Sequence, residues 1–168
     1  MHNQPKYKPL RPSTFFADGR ASRPPVEDTV AREHLNDTAP SHTGKAGNAY
    51  LRAIPLRITE ELVREGQTRF NAFCSPCHDR TGSGNGMIVQ RGYRQPPSLH
   101  IDRLRQVPDG YLFDVMTTGF GVMPSYKQQI PVQHRWAIVA YVRALQLAQA
   151  ATLADVSAAG RAQLEGER

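Results

Sequence analysis

Cys74-Ser75-Pro76-Cys77-His78 constrains this chain more than any other stretch, because it holds both cysteines of the sequence. Two thiols three positions apart, followed at once by histidine, have the pattern of a c-type haem attachment site. If the run opens a helix, both thiols can reach the two vinyl groups of one porphyrin while His78 presents Nε2 to the iron. With no further cysteine, a four-cysteine zinc ribbon is excluded. Two other readings stay open, a thioredoxin-like redox pair and half of a shared metal site. The redox pair calls for a β-strand ahead of the motif, whereas a helical pattern precedes this one and a glycine-rich loop follows it.

The helical pattern starts at Thr59, an N-cap with Leu62 as third helical residue and Glu60 and Glu61 in the first turn, where negative charge is favoured. Leu62, Gly66, Phe70 and Phe73 share one face that runs into the motif. Gly66 weakens a helix by roughly 1 kcal/mol relative to alanine, so it is expected where another helix crosses closely. That helix is predicted over 132–150, after Pro131, with Trp136, Val139, Ala140, Val142 and Leu145 as its apolar stripe. Ile138 and Tyr141 are expected to receive Gly66 and Phe70, and Trp136 to be core or cofactor wall.

Between these helices, Gly82, Gly84 and Gly86 permit a loop folded tightly behind His78, and a carbonyl of that loop is the expected acceptor for His78 Nδ1. A short helix is predicted to begin at Pro108 and to end before Thr117. Met123, framed by glycine and proline in Phe120-Gly121-Val122-Met123-Pro124-Ser125-Tyr126, is the expected sixth ligand. Met116 lies on a helical face and is expected in the core, and Met87 follows the motif too closely. His100 and His134 are weighed as rival ligands and read as surface or hydrogen-bonding groups; His2, His34 and His42 fall in the N-terminal arm.

That arm, residues 1–59, holds seven of the thirteen prolines with nine basic and five acidic side chains. It has no periodic apolar face, and Tyr7, Phe15, Phe16 and Tyr50 are scattered along it. An ordered wrapping role on a larger assembly is expected. Three segments follow: an extended assembly arm at 1–59, a haem domain at 60–150 and a tail at 151–168. The formal charge of +6 comes without a basic run or basic helix face, so no nucleic-acid partner is expected. No apolar run reaches membrane-spanning length. Because covalent haem attachment takes place outside the cytoplasmic membrane, a targeting segment or lipid anchor upstream of Met1 is expected.

Gly66-x-x-x-Phe70, Cys74-x-x-Cys77-His78, Met123-Pro124 and the aromatic last helix resemble class I cytochromes c. The resemblance implies an all-α fold around one covalent haem c, with Cys74 and Cys77 as thioether anchors and His78 and Met123 as axial ligands. Longer runs resemble the monohaem cytochrome c subunit of bacterial alternative complex III, a quinol-oxidising respiratory assembly. These runs are Gln4-Pro5-Lys6-Tyr7, Phe15-Phe16-Ala17-Asp18-Gly19-Arg20, Arg23-Pro24-Pro25-Val26, Cys74 to Gly82, Asn85 to Gly92, His100 to Arg105 and Met123 to Tyr126. This closer likeness implies a hetero-oligomer with multihaem and iron-sulfur subunits, on the periplasmic side of the membrane, relaying electrons to a soluble cytochrome c or terminal oxidase. Members of that family are typically lipoproteins, and this chain departs by lacking an acylatable N-terminal cysteine. An independent shuttle cytochrome and a thiol-disulfide oxidoreductase are the competing functions.

Overall fold

The computed structural model describes residues 4–32 and 38–166. The fold is predominantly α-helical with minor β content. The chain divides into two units, Met1–Asp37 and Thr38–Arg168.

Within the first unit, Pro12 and Arg20 form an antiparallel bridge. Ser13 N–H donates to the Gly19 carbonyl at 2.9 Å and Ala21 N–H to that of Arg11 at 3.1 Å. Arg23 ties off this turn: its guanidinium pairs with Asp18 at 2.7 Å and lies 4.2 Å from the Phe16 ring centre. Phe15 meets Phe16 edge-on and is left 80% exposed. His2 and His34 lie outside the described residues.

The second unit contains helices α1 (Pro40–Thr43), α2 (Glu60–Phe73), α3 (Ser75–His78), α4 (Met87–Gln90), α5 (Asp102–Gln106), α6 (Asp109–Thr118), α7 (Val132–Ala150) and α8 (Ala158–Gly166). A small hairpin, β1 (Lys45–Ala46) and β2 (Ala49–Tyr50), follows α1, with Lys45 opposite Tyr50. Helix α2 starts as expected, because Leu62 N–H donates to Thr59 Oγ1 at 3.2 Å and satisfies one of the first turn's free donors. On its solvent face Arg64 reaches back to Glu60 and Arg69 to Glu65, each at 2.6 Å.

Helices α2 and α7 cross at Gly66. A β-carbon there would sit 2.0 Å from the Ala137 carbonyl oxygen and 3.0 Å from Tyr141 Cβ. The α7 atoms nearest Gly66 thus belong to the Ala137 backbone and to Tyr141, and Ile138 shares with Phe70 the cavity described below. One turn on, the Phe70 and Tyr141 rings are 5.4 Å apart, as expected for a side-chain pair at this crossing. Trp136 is fully buried and stacks on Phe113 of α6 with ring centres 4.2 Å apart. Helix α6 runs two residues past the expected end. The hydroxyls of Thr117 and Thr118 donate to the carbonyls of Phe113 and Asp114 at 2.7 and 2.8 Å, which satisfies acceptors of the last turn.

Residues 38–59, expected in the extended arm, pack on the helical unit. The Trp136 indole N–H donates to the Ser41 carbonyl at 2.6 Å. Gly110 N–H at the start of α6 donates to Leu51 O, and Leu51 N–H to Gly44 O, both at 2.9 Å. Asp114 of α6 accepts from the Tyr50 hydroxyl at 3.1 Å and pairs with Lys45 at 2.9 Å. Leu51, Ile54 and Leu56 then rest against the core. The boundary falls near residue 37 because these contacts join distant backbone groups, which no local periodicity reveals. Beyond α7 the chain breaks into extended backbone at Ala151 before α8.

Candidate functional site

The Cys-x-x-Cys-His run consists of Cys74, the cap shared by α2 and α3, and of α3 itself. Cys74 ends α2, its N–H bonded to the Phe70 carbonyl at 2.8 Å, and the Cys74 carbonyl accepts from Cys77 and His78 N–H at 3.1 and 2.9 Å. The following loop folds back onto this run: Gly84 N–H donates to the His78 carbonyl at 2.9 Å and Gly86 N–H to that of Cys77 at 3.0 Å. Gly84 takes up φ +89, whereas Gly86 is needed for proximity, since a β-carbon there would lie 2.2 Å from the Pro76 carbonyl oxygen. Backbone thus closes one side of the motif.

Asp79 organises that loop. It is a non-glycine residue at φ +55 and ψ 176, outside the regions that side-chain-bearing residues ordinarily occupy. Its carboxylate accepts from Thr81 N–H at 2.5 Å, Thr81 Oγ1 at 2.6 Å and Asn85 N–H at 3.2 Å, and also from Ser83 Oγ. Burial alone would raise its pKa, but the hydrogen bonds from Ser83, Thr81 and Asn85 outweigh burial and hold the carboxyl far below the ordinary carboxylate range. Asp79 is not among the expected site residues. Its signal was the Asp-x-Thr-x-Ser spacing of a side chain folding its own loop.

An apolar cavity of ≈ 360 Å³ opens beside the motif. Cys74, Cys77 and His78 line it from the start and body of α3, Met123 and Pro124 from the loop before α7, and Leu112, Val115 and Met116 from α6. Phe70 and Phe73 of α2 and Ile138, Val139 and Val142 of α7 complete its inner wall, and Ile88, Tyr93 and Arg94 contribute from the 87–97 segment. All four expected site residues therefore meet on one cavity. Met116 joins them there while also belonging to the core, and Met87 is 62% exposed and lies off the cavity wall.

The rival histidines are engaged elsewhere. His100 Nε2 lies 2.6 Å from the Thr81 carbonyl and pins the loop behind His78, and His134 Nε2 is 3.4 Å from Glu65 across α7 and α2. His42 is 3.2 Å from the Ser41 hydroxyl. None of the three lines the cavity.

The Met123 loop is fixed by backbone bonds. Phe120 N–H donates to Met123 O at 2.9 Å, Met123 N–H to Phe120 O at 3.0 Å, and Tyr126 N–H to Met116 O at 2.9 Å. On the far side, Arg143 of α7 pairs with Asp109 at 2.7 Å and donates to the carbonyls of Leu104, Arg105 and Val107, where α5 ends. Gln146 donates to the Leu99 carbonyl at 2.6 Å. Helix α7 thereby holds the 99–107 segment as well as the cavity's inner wall.

The site's electrostatics favour neutral donors. Burial, with the neighbouring Cys77, pushes the Cys74 thiol up to about 12, and burial lowers the His78 pKa against a smaller opposing effect of Asp79. The expected acceptor for His78 Nδ1 is not found: that nitrogen is buried with no hydrogen-bond partner among the described residues. Two loop carbonyls are already engaged, Thr81 O by His100 and Gly82 O by Leu99 N–H at 2.8 Å. The His78 imidazole, two free thiols and a thioether on one apolar wall form a donor set that fits haem c. Among the described residues, no group of three or more His, Cys, Asp or Glu side chains is placed to hold a bare metal ion.

The fold and site thus define a predominantly helical domain, compatible with a cytochrome-type fold, built around one apolar cavity and a Cys-x-x-Cys-His run. Residues 61–142, just under half of the chain, match the family described as cytochrome c oxidase, cbb3-type, subunit III. Every cavity-lining residue lies within that span. Among solved structures, a chain of the Kuenenia stuttgartiensis reducing HAO-like protein complex is similar at 23% identity and a TM-score of 0.49. That likeness covers 58% of this chain and 49% of the other. A comparison with curated proteins gave no match. No described helix is long and apolar enough to cross a membrane.

Proposed function

We propose that this chain is a one-electron carrier with a single haem c attached through Cys74 and Cys77, ligated by His78 and Met123, and acting as a subunit of a membrane-associated respiratory complex. The observation that carries the reading is the convergence of those four side chains on one apolar cavity from two separated segments. When bound, the haem supplies reversible exchange between ferric and ferrous iron.

The protein's part is placement and exclusion. Helix α3 and the loop clasped by Asp79 fix the histidine, the backbone bridge between Phe120 and Met123 presents the thioether, and the side chains of α2, α6 and α7 keep water from the inner wall. His/Met ligation favours a higher potential than bis-histidine ligation and leaves no open position for substrate chemistry. The chain therefore hands on electrons, and quinol oxidation falls to other subunits. The respiratory setting is supported by the family matched over 61–142, and the monohaem relay of alternative complex III by the longer sequence runs. A thiol-disulfide oxidoreductase is disfavoured, because such enzymes depress the pKa of the attacking thiol and Cys74 is pushed the other way.

In this account residues 1–37 serve assembly, with Tyr7, Leu10 and Phe15 left exposed for a partner. The complex lies on the periplasmic side of the membrane. Purification through a tag on this chain in mild detergent should bring down multihaem and iron-sulfur subunits. Recovery of a holoprotein alone, still active as a freely diffusing electron donor, would replace the relay with the shuttle.

A further inference from the structure

Arg135 is 2% exposed, and nothing in the electron-transfer reading above uses it. Helix α7 places its guanidinium 4.7 Å from the centre of the Phe113 ring, and Nη1 donates to Thr117 Oγ1 in the last turn of α6. Burying a guanidinium is costly unless its surroundings give back hydrogen bonds and cation–π contact, and a packed apolar side chain would serve the core alone more cheaply.

Thr117 is bonded in three directions. Its hydroxyl donates to Phe113 O at 2.7 Å while accepting from Arg135, and its carbonyl accepts from the Ser125 hydroxyl at 2.7 Å. Ser125 stands two residues after Met123, and the neighbouring Tyr126 N–H is bonded to the Met116 carbonyl. The segment carrying Met123 is thus fastened to the end of α6, and the end of α6 is fastened at the same residue to α7. Orientation of the thioether depends on this fastening, because the outer part of the loop is exposed, Phe120 by 65% and Val122 by 54%.

We propose that Arg135 is a positioning residue for Met123, acting through Thr117 and Ser125 to hold the Met123 loop at the cavity wall. This rests on Met123 as the iron ligand. The chain of contacts joins helix α7, which also forms the inner wall, to the ligand loop, so both sides of the cavity keep one spacing.

The test uses the full-length holoprotein and imidazole as a competing ligand. Thr117→Val and Ser125→Ala should each lower the imidazole concentration that half-displaces the methionine by about five- to tenfold, the scale of one lost hydrogen bond. Arg135→Met should lower it further, with Arg135→Lys intermediate. The double variant Arg135→Met/Thr117→Val should be no weaker than Arg135→Met, because both act through one chain of contacts. Amide exchange at Phe120 and Met123 should quicken in the same order. His134→Ala, which removes only a contact to Glu65, should lower stability without moving the imidazole midpoint. If Arg135→Met fails to fold, the Thr117 and Ser125 variants still decide. Wild-type midpoints and exchange rates in both would overturn the positioning role while leaving Met123 as ligand. A wild-type protein with no methionine-to-iron band would overturn the ligation and this role together.

Discussion

The Trp136 indole donates its N–H to the Ser41 carbonyl across 95 positions of sequence, binding the segment before α2 to the largest fully buried side chain of α7. Residues 38–59 are by this contact part of the helical unit. Trp136→Phe should lower the stability of the holoprotein by about 1–3 kcal/mol, from the stranded carbonyl and the lost ring volume. Deleting 1–37 should leave the unfolding midpoint near that of the full chain, and deleting 1–59 should lower it steeply. Equal midpoints for the two truncations, read by thermal melts, would return 38–59 to the arm.

Gly66→Ala sets two effects against each other. Helix propensity gains roughly 1 kcal/mol, but the new methyl falls 2.0 Å from the Ala137 carbonyl oxygen, a backbone atom that moves only with α7 itself. Overpacking of this kind costs about 1–3 kcal/mol, so the net change should be destabilising. An unchanged or raised denaturant midpoint would contradict the crossing.

The Asp79 carboxylate links the loop behind His78 to pH. Its folded pKa lies below the ordinary aspartate value of 3.8, so the stability it contributes is complete above that value and is lost as pH falls through the lower folded value. Asp79→Asn keeps the shape of the side chain but loses the charge-assisted acceptors. The wild-type advantage in melting temperature should therefore be full at neutral pH and shrink once pH drops below about 3.8. An advantage that persisted unchanged in acid would show that the carboxylate is not the clasp.

Met123 and Met116 both line the cavity, and the spectrum separates them. Met123→Ala should abolish the weak methionine-to-iron band of the oxidised protein, and Met123→His should keep low-spin iron at a lower potential. Met116→Ala should keep the band while lowering stability by about 2–5 kcal/mol, as truncation of a buried methionine does. The reverse pattern would transfer ligation to Met116.

What could be read in advance was what local chemistry encodes. The Thr59 cap, the span of α7 and the framing of Met123 follow from side-chain spacing, and the structure brings Cys74, Cys77, His78 and Met123 onto one wall. The misses share a different cause. The atom of α7 nearest Gly66 is the Ala137 carbonyl oxygen, the 38–59 segment is held in part by the carbonyls of Ser41 and Leu51, and His78 Nδ1 has no acceptor among the described residues. Every residue except proline carries the same backbone donor and acceptor, so these pairings leave no mark in residue identity. Asp79 and Thr117 were missed for a related reason, since both act by folding or fastening a loop while their side chains stay off the cavity.

Covalent attachment of one haem to Cys74 and Cys77 is decided by intact-mass analysis of the natively purified chain under denaturing conditions. The predicted result is the chain mass plus one haem, with a band that keeps haem-dependent peroxidase stain through the gel, and loss of that added mass when both cysteines are replaced by alanine. A native chain that runs at the apoprotein mass, with Cys74 and Cys77 free or joined as a disulfide, would contradict the account.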